Sequence, residues 1–184
     1  LDLHSMHEPC APLLLTGMQP RNLDLARELG APRHVIVDAG HKDGVRMRDY
    51  GRFGQMADNG TRSLLIECGY HGALESRTVA LDQVGRFLRA SGIVDESDIP
   101  AEWITPAPDV QQAIEVTQPV VARSMDFRFA QPWQGLEELE RAGTVIGWQD
   151  GEPVTTPYDH CTLVMPSLRQ LVPGVTVVRL ARRV

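Results

Sequence analysis

The sequence predicts an α/β fold: a mainly parallel sheet with flanking helices over residues 1–92, then a small β-rich, barrel-like subdomain over 103–184. Three observations carry this reading. Continuous apolar runs alternate with helix-patterned stretches through the first half, as strands covered on both faces require. Helix stop signals punctuate that half. After about residue 103 the pattern changes to short runs separated by turn residues, which suits a β-rich unit.

Along the chain, Leu1-Asp2-Leu3-His4 alternates and reads as a strand. Asp2 and His4 point to one face, Leu1 and Leu3 to the other. "APLLLTG" is a buried strand from Pro12 to Thr16. "NLDLARELG" is a short helix with Asn22 as its cap and Gly30 as its stop. "RHVIVDAG" is a second buried strand, and "RSLLIECG", Arg62 to Cys68, a third. "LESRTVALDQVGRFLRASG" sets Leu74, Leu81, Val84 and Leu88 at helical spacing and ends at Gly92. The acidic, proline-bearing stretch that begins at 93–102 reads as a linker. Beyond it, "EVTQPVVAR", "GTVIGWQDGEPVTTP", "CTLVMPS" and "GVTVVRLARR" are short strands, with "GLEELERAG" a short helix or turn between them.

Bulk properties narrow the function. The 184 residues suffice for one sizeable domain or a core domain with an appendage. A net charge of -6 argues against general nucleic-acid binding. No apolar run approaches a membrane span, and the first residues lack the basic start and long apolar centre of a signal peptide. Cys10, Cys68 and Cys161 are odd in number and far apart, which reads as reduced thiols in a cytoplasmic protein.

The residues suited to chemistry sit at strand ends. Glu67, in "LLIECGYHG", closes an apolar strand and precedes Gly69. A carboxylate there is costly to bury unless it is paired or at the sheet's edge. The carboxyl ends of strands are also where open α/β sheets bind ligands. Glu67 is therefore either a general base or a structural carboxylate bonded to a neighbouring group. His4 ends a strand with Asp2 placed to hold its imidazole, the arrangement a metal-ligating histidine uses. One imidazole is not a site, since a catalytic zinc takes three protein ligands and an open position. His7 and His41 lie on loops and are further donors if those loops approach His4. Tyr70 and His71 directly follow the Glu67 strand and are candidates to line the same pocket. Arg46, Arg48, Arg52 and Arg62 are candidates to grip a substrate carboxylate through a bidentate fork.

"DLHS", followed later by "LLIECG", resembles the succinylglutamate desuccinylase and aspartoacylase family of zinc-dependent deacylases with a carboxypeptidase-like α/β core. The resemblance implies that His4 is a zinc ligand, that Glu67 with Gly69 is the catalytic-base motif, and that the tail is the family's C-terminal β-domain. It also implies a His-Gly-Asn-Glu type motif carrying the other two ligands upstream. No HxxE pair occurs in this chain. The chain is therefore expected to be the C-terminal part of a longer enzyme, inactive and short of zinc ligands by itself. The parent is expected to cleave the amide bond of an N-acyl amino acid or a similar small substrate, and a homo-oligomer is compatible with this. Two other classes remain: a non-catalytic homologue that kept the fold without the metal, and a binding module. The tail resembles the hammerhead of lipoyl and biotinyl carriers, but such carriers need a lysine at a hairpin tip, and the only lysine is Lys42, in the other half.

Overall fold

The computed structural model describes residues 1–40 and 45–184; His41 and Lys42 lie outside the described residues. The chain divides into two units, Leu1–His7 with Ala11–Ile114, and Glu8–Cys10 with Glu115–Val184. Segment 93–102 packs inside the first unit, where Ile99 is buried.

The first unit carries strands β1 (Asp2–Met6), β2 (Leu13–Leu15), β3 (His34–Val37) and β4 (Leu65–Tyr70), and helices α1 (Pro20–Leu29) and α2 (Glu75–Ser91). The strand order is β1-β4-β2-β3. The class is the expected α/β, and the sheet is mixed: β1–β4 and β2–β3 are parallel, while β2–β4 is antiparallel. Leu14, Val35, Leu64, Ile66 and Cys68 turn to one face and form a core with Leu25, Ala26 and Leu29 of α1, against which Val79, Ala80 and Phe87 of α2 also pack.

Both helices stop where expected, with Gly30 and Gly92 in the left-handed conformation. Three expectations need correction. First, α1 begins at Pro20 and Asn22 is not its cap. Asn22 is fully buried; its amide donates to the Thr16 carbonyl (2.9 Å) and accepts from the Ser63 N–H (2.9 Å). It stitches the end of β2 to the approach of β4. Second, the third strand starts at Leu65 rather than Arg62 and runs on to Tyr70. Third, the buried face of α2 is not Leu74, Leu81, Val84 and Leu88. Leu74 is exposed, and the buried residues include Asp82, Gln83 and Arg86.

The reason for that third difference is a buried ion pair. Arg86 Nε lies 2.8 Å from Asp82 Oδ2. The same guanidinium donates to the Leu29 carbonyl (2.8 Å) and the Thr105 carbonyl (2.6 Å). Asp82 in turn accepts from the Thr105 N–H (2.7 Å). The pair caps the last turn of α1 and anchors the segment after α2. Polar groups thus occupy positions that apolar periodicity alone assigns to leucines.

Strand β5 (Gln112–Val121) leaves the first unit after Ile114. The second unit continues with β6 (Phe127–Phe129), β7 (Glu138–Leu139), β8 (Val145–Gln149), β9 (Glu152–Thr155), β10 (Cys161–Val164) and β11 (Thr176–Arg183). Strands pair in the orders β5-β11-β10-β7 and β6-β8-β9. The "GLEELERAG" stretch supplies the two-residue strand β7 rather than a helix. Asp150 and Gly151, both with positive φ, make the two-residue turn between β8 and β9, the chemistry a tight hairpin demands. The core gathers Phe127, Ile146, Leu163, Val177, Val178 and Leu180. Among the described residues no helix is long and apolar enough to cross a membrane.

Candidate active site

Strands β1 and β4 run side by side with His4 opposite Glu67 and Asp2 opposite Leu65. Opposed residues on neighbouring strands share a face. Asp2, His4 and Glu67 therefore project together, on the face opposite the helix-covered core. On its other side Glu67 is opposite Leu13, which is fully buried. The carboxylate is wedged between a leucine and an imidazole.

That position sets its chemistry. Glu67 is 8% exposed, and its Oε2 atom is buried with no hydrogen-bond partner. Burial pushes its pKa up; the His4 imidazole pulls it back and the Asp2 charge adds to the rise. His4 Nε2 lies 3.1 Å from Asp2 Oδ1, so the imidazole has an acceptor beside it. Cys68, the next residue, turns to the helices; burial and then the Glu67 charge push its thiol up to about 11. It is an inert core thiol, not a nucleophile.

The register explains the glycine two residues after Glu67. His4 is opposite Glu67, but Met6 is opposite Tyr70, so β4 carries one extra residue between these pairs. Gly69 lies in this bulge with φ 107°, a conformation side-chain-bearing residues rarely take. Past the bulge, the His71 N–H donates to the Met6 carbonyl (2.9 Å). His71 Nδ1 is 2.5 Å from Ser5 Oγ, and its ring meets His7 edge-on with centroids 4.4 Å apart. Alternation turns Ser5 away from the His4 face. His71 is thus tied to Ser5 and His7 rather than to the Glu67 carboxylate. The exposed Tyr70 ring lies over Gly72, where a Cβ would stand 2.6 Å from it.

The arginines are placed elsewhere. Arg62 pairs with Glu28 (2.5 Å) and donates to the Ala90 carbonyl (3.3 Å), so the helix layer takes it up. Arg52 is exposed and donates to the Asn59 carbonyl (3.2 Å). Arg46 contacts Asp49 (3.5 Å), and Arg48 is wholly buried, with Nε 3.2 Å from Asp49 and Nη2 donating to the Asp38 carbonyl (3.0 Å). All four belong to the stretch between β3 and β4, where nearby carboxylates and carbonyls take them up. Near those residues Met18, Gln19, Arg46, Asp49 and Met56 line an open cleft of about 390 Å³. Strand patterns did not reveal this cleft, since its wall is irregular backbone with no period to read.

Among the described residues no group of three or more His, Cys, Asp or Glu side chains is placed to hold a metal ion. The donors beside Glu67 are one imidazole and the Asp2 carboxylate that contacts it. They fit one metal ligand with its supporting acceptor, not a whole coordination shell.

A mixed sheet with helices on one face and a β-rich tail is a known α/β architecture. Solved structures that share it include succinylglutamate desuccinylases and a succinylglutamate desuccinylase/aspartoacylase. A succinylglutamate desuccinylase from Vibrio cholerae superimposes with TM-score 0.68 at 15% identity, over 99% of this chain and 52% of that one. The enzyme from Vibrio parahaemolyticus gives 0.65 at 16%, over 100% and 53%. A succinylglutamate desuccinylase/aspartoacylase from Rhodobacter sphaeroides gives 0.63 at 17%, over 100% and 57%. The chain therefore has the fold of this group and spans about half the length of these structures. No family model and no curated protein sequence matches it.

Proposed function

We propose that this chain is the C-terminal half of a deacylase-type hydrolase acting on the amide bond of small N-acyl amino acids, with Glu67 as its proton carrier. The observation that carries the reading is the Glu67 carboxylate itself. It is buried, has one oxygen without a partner, and lies beside an Asp-supported histidine on the neighbouring parallel strand. A structural carboxylate in that position would be expected to have both oxygens bonded. A carboxyl whose pKa is raised by burial is suited to take a proton from an attacking water and hand it to a leaving amine. The likeness in fold to desuccinylases and aspartoacylases supports the same reaction class.

Zinc is the cofactor this reading implies. His4 would be one ligand, with Asp2 fixing its ring. The remaining ligands would come from outside the described residues, so the chemistry that belongs to this chain is the proton transfer at Glu67.

The test uses the full product of the gene and a panel of N-acyl amino acids, with metal content measured in parallel. Glu67→Gln keeps the shape and should lower kcat by roughly 10²-fold or more with metal content unchanged. His4→Ala should lose metal and activity together, with partial rescue by excess zinc. Near wild-type turnover in Glu67→Gln would return Glu67 to a structural role.

A further inference from the structure

The Glu67 carboxylate has no bond of its own at Oε2, so its aim is set by the backbone that carries it. That backbone changes character at Glu67. Up to this point β4 is held on both sides. β1 lies along one edge, and on the other β2 pairs Leu15, Leu14 and Leu13 with Leu65, Ile66 and Glu67. The β2 pairing stops there. Among the described residues, the rest of β4 has β1 alone as a neighbouring strand, and that contact runs through the bulge. Ser5 stands against both Cys68 and Gly69. A bulge leaves its extra residue outside the ladder. Gly69, with φ 107°, adds no side chain to stiffen it.

His71 closes the far side of this bulge. Its N–H donates to the Met6 carbonyl (2.9 Å), and its Nδ1 lies 2.5 Å from Ser5 Oγ. The His7 ring rests edge-on against it. The side-chain bond joins the two strands that carry the site. Ser5 directly follows His4, and His71 comes soon after Glu67. The other tie at this end, from Ser76 Oγ to the Tyr70 carbonyl (2.6 Å), runs from β4 to the helix that follows it and leaves β1 out.

We propose that His71 is a positioning residue for the reaction at Glu67: through Ser5 it fixes the slack end of β4 against β1, and so sets the Glu67 carboxylate against the His4 imidazole. It acts through the backbone, since its side chain is bonded to Ser5 and packed on His7. The proposal rests on the deacylase reading, because it places the carboxylate which that reading uses. Proton transfer is sensitive to such placement; a shift of about 1 Å can cost on the order of 10²-fold in rate.

The experiment compares His71→Ala, His71→Asn, Ser5→Ala and Glu67→Gln in the full gene product, with kcat and KM measured across pH on a panel of N-acyl amino acids. Asparagine sets its side-chain amide where the imidazole Nδ1 stands and keeps a partner for Ser5. The expected result for His71→Ala is kcat lower by about tenfold or more, with KM and metal content within about twofold of wild type. The acid limb of its kcat profile should move by about half a pH unit or more toward the ordinary carboxylate range, because a carboxyl that leaves its buried seat loses the cause of its raised pKa. A variant that is merely less folded would scale the profile without moving it. Ser5→Ala should behave alike, the double variant should be no worse than either single one, and His71→Asn should recover most of the rate. An unmoved kcat profile in His71→Ala would overturn the proposal, as would additive losses in the double variant. The two readings fail separately. Loss of activity in Glu67→Gln with a wild-type profile in His71→Ala keeps the base and removes the tether. Near wild-type turnover in Glu67→Gln removes the base, and the positioning role with it.

Discussion

The two units bury polar groups in different ways. Among the described residues, the second unit buries Gln149, Thr156 and Thr162, all uncharged. Two of them show how such groups are satisfied. The Gln149 amide oxygen accepts from the Arg123 N–H (2.9 Å), and Thr156 donates to the Arg141 carbonyl (2.8 Å). Among the described residues, the first unit buries Asp38, Arg48, Glu67, Asp82 and Arg86, and it holds the three buried side-chain atoms without partners: Arg48 Nη1, Glu67 Oε2 and Gln83 Oε1. Where buried charge is saturated, as in Asp82–Arg86, it joins elements. Where it is left short of partners, as at Glu67, it costs stability.

Breaking the saturated pair should have the largest effect. Arg86→Met leaves Asp82 buried without its cation and should cost about 3–5 kcal/mol in urea unfolding. Adding Asp82→Leu should recover part of this, because the stranded charge is gone. If the double variant is no better than the single one, the carbonyl bonds to Leu29 and Thr105 matter more than the charge.

The second unit should respond to lost volume instead. Leu163 is fully buried in an apolar cluster. Leu163→Ala should cost about 2–5 kcal/mol, by the lost burial and the cavity left behind. A small cost would mean that this core closes over the gap.

The mildest effect, and the one most specific to the site, is the pH dependence of Glu67. Its folded pKa is raised, so the folded chain holds this proton to higher pH than the unfolded chain does. The stability it contributes is full below the ordinary carboxylate range and is lost as pH rises through the raised value. Glu67→Gln has no such loss. Melting temperatures compared from about pH 4 to about pH 8 should therefore diverge in favour of the variant. Divergence the other way would mean that an opposite charge holds Glu67 ionised.

The strands that carry His4 and Glu67 were legible in the sequence, but their ends were not: β1 runs on past His4 to Met6, and β4 past Glu67 to Tyr70. The fold does bring His4 and Glu67 to adjacent positions. The helix stops were legible because glycine is the residue that takes the left-handed conformation easily. Positions where a polar side chain replaces an apolar one in the interior were not. Asn22 reads as a cap until Ser63 and Thr16 are seen around it. The inward face of α2 reads as leucines until Asp82 and Arg86 find each other. Arg62 lies just before the Glu67 strand, but Glu28, on a helix far back in the chain, claims it. Such pairings depend on long-range partners that no local period encodes.

The β1–β4 pairing also bears on the order of folding. β2, α1 and β3 follow one another directly and can close among themselves with short loops. His4 and Glu67 are carried by strands about 60 residues apart in the chain, and their meeting requires the larger loss of chain freedom. The sheet edge that holds the acid and the imidazole is therefore the part expected to assemble late, on a βαβ layer already in place. A chain stalled before that step would have most of its first core but would not yet have brought His4 beside Glu67.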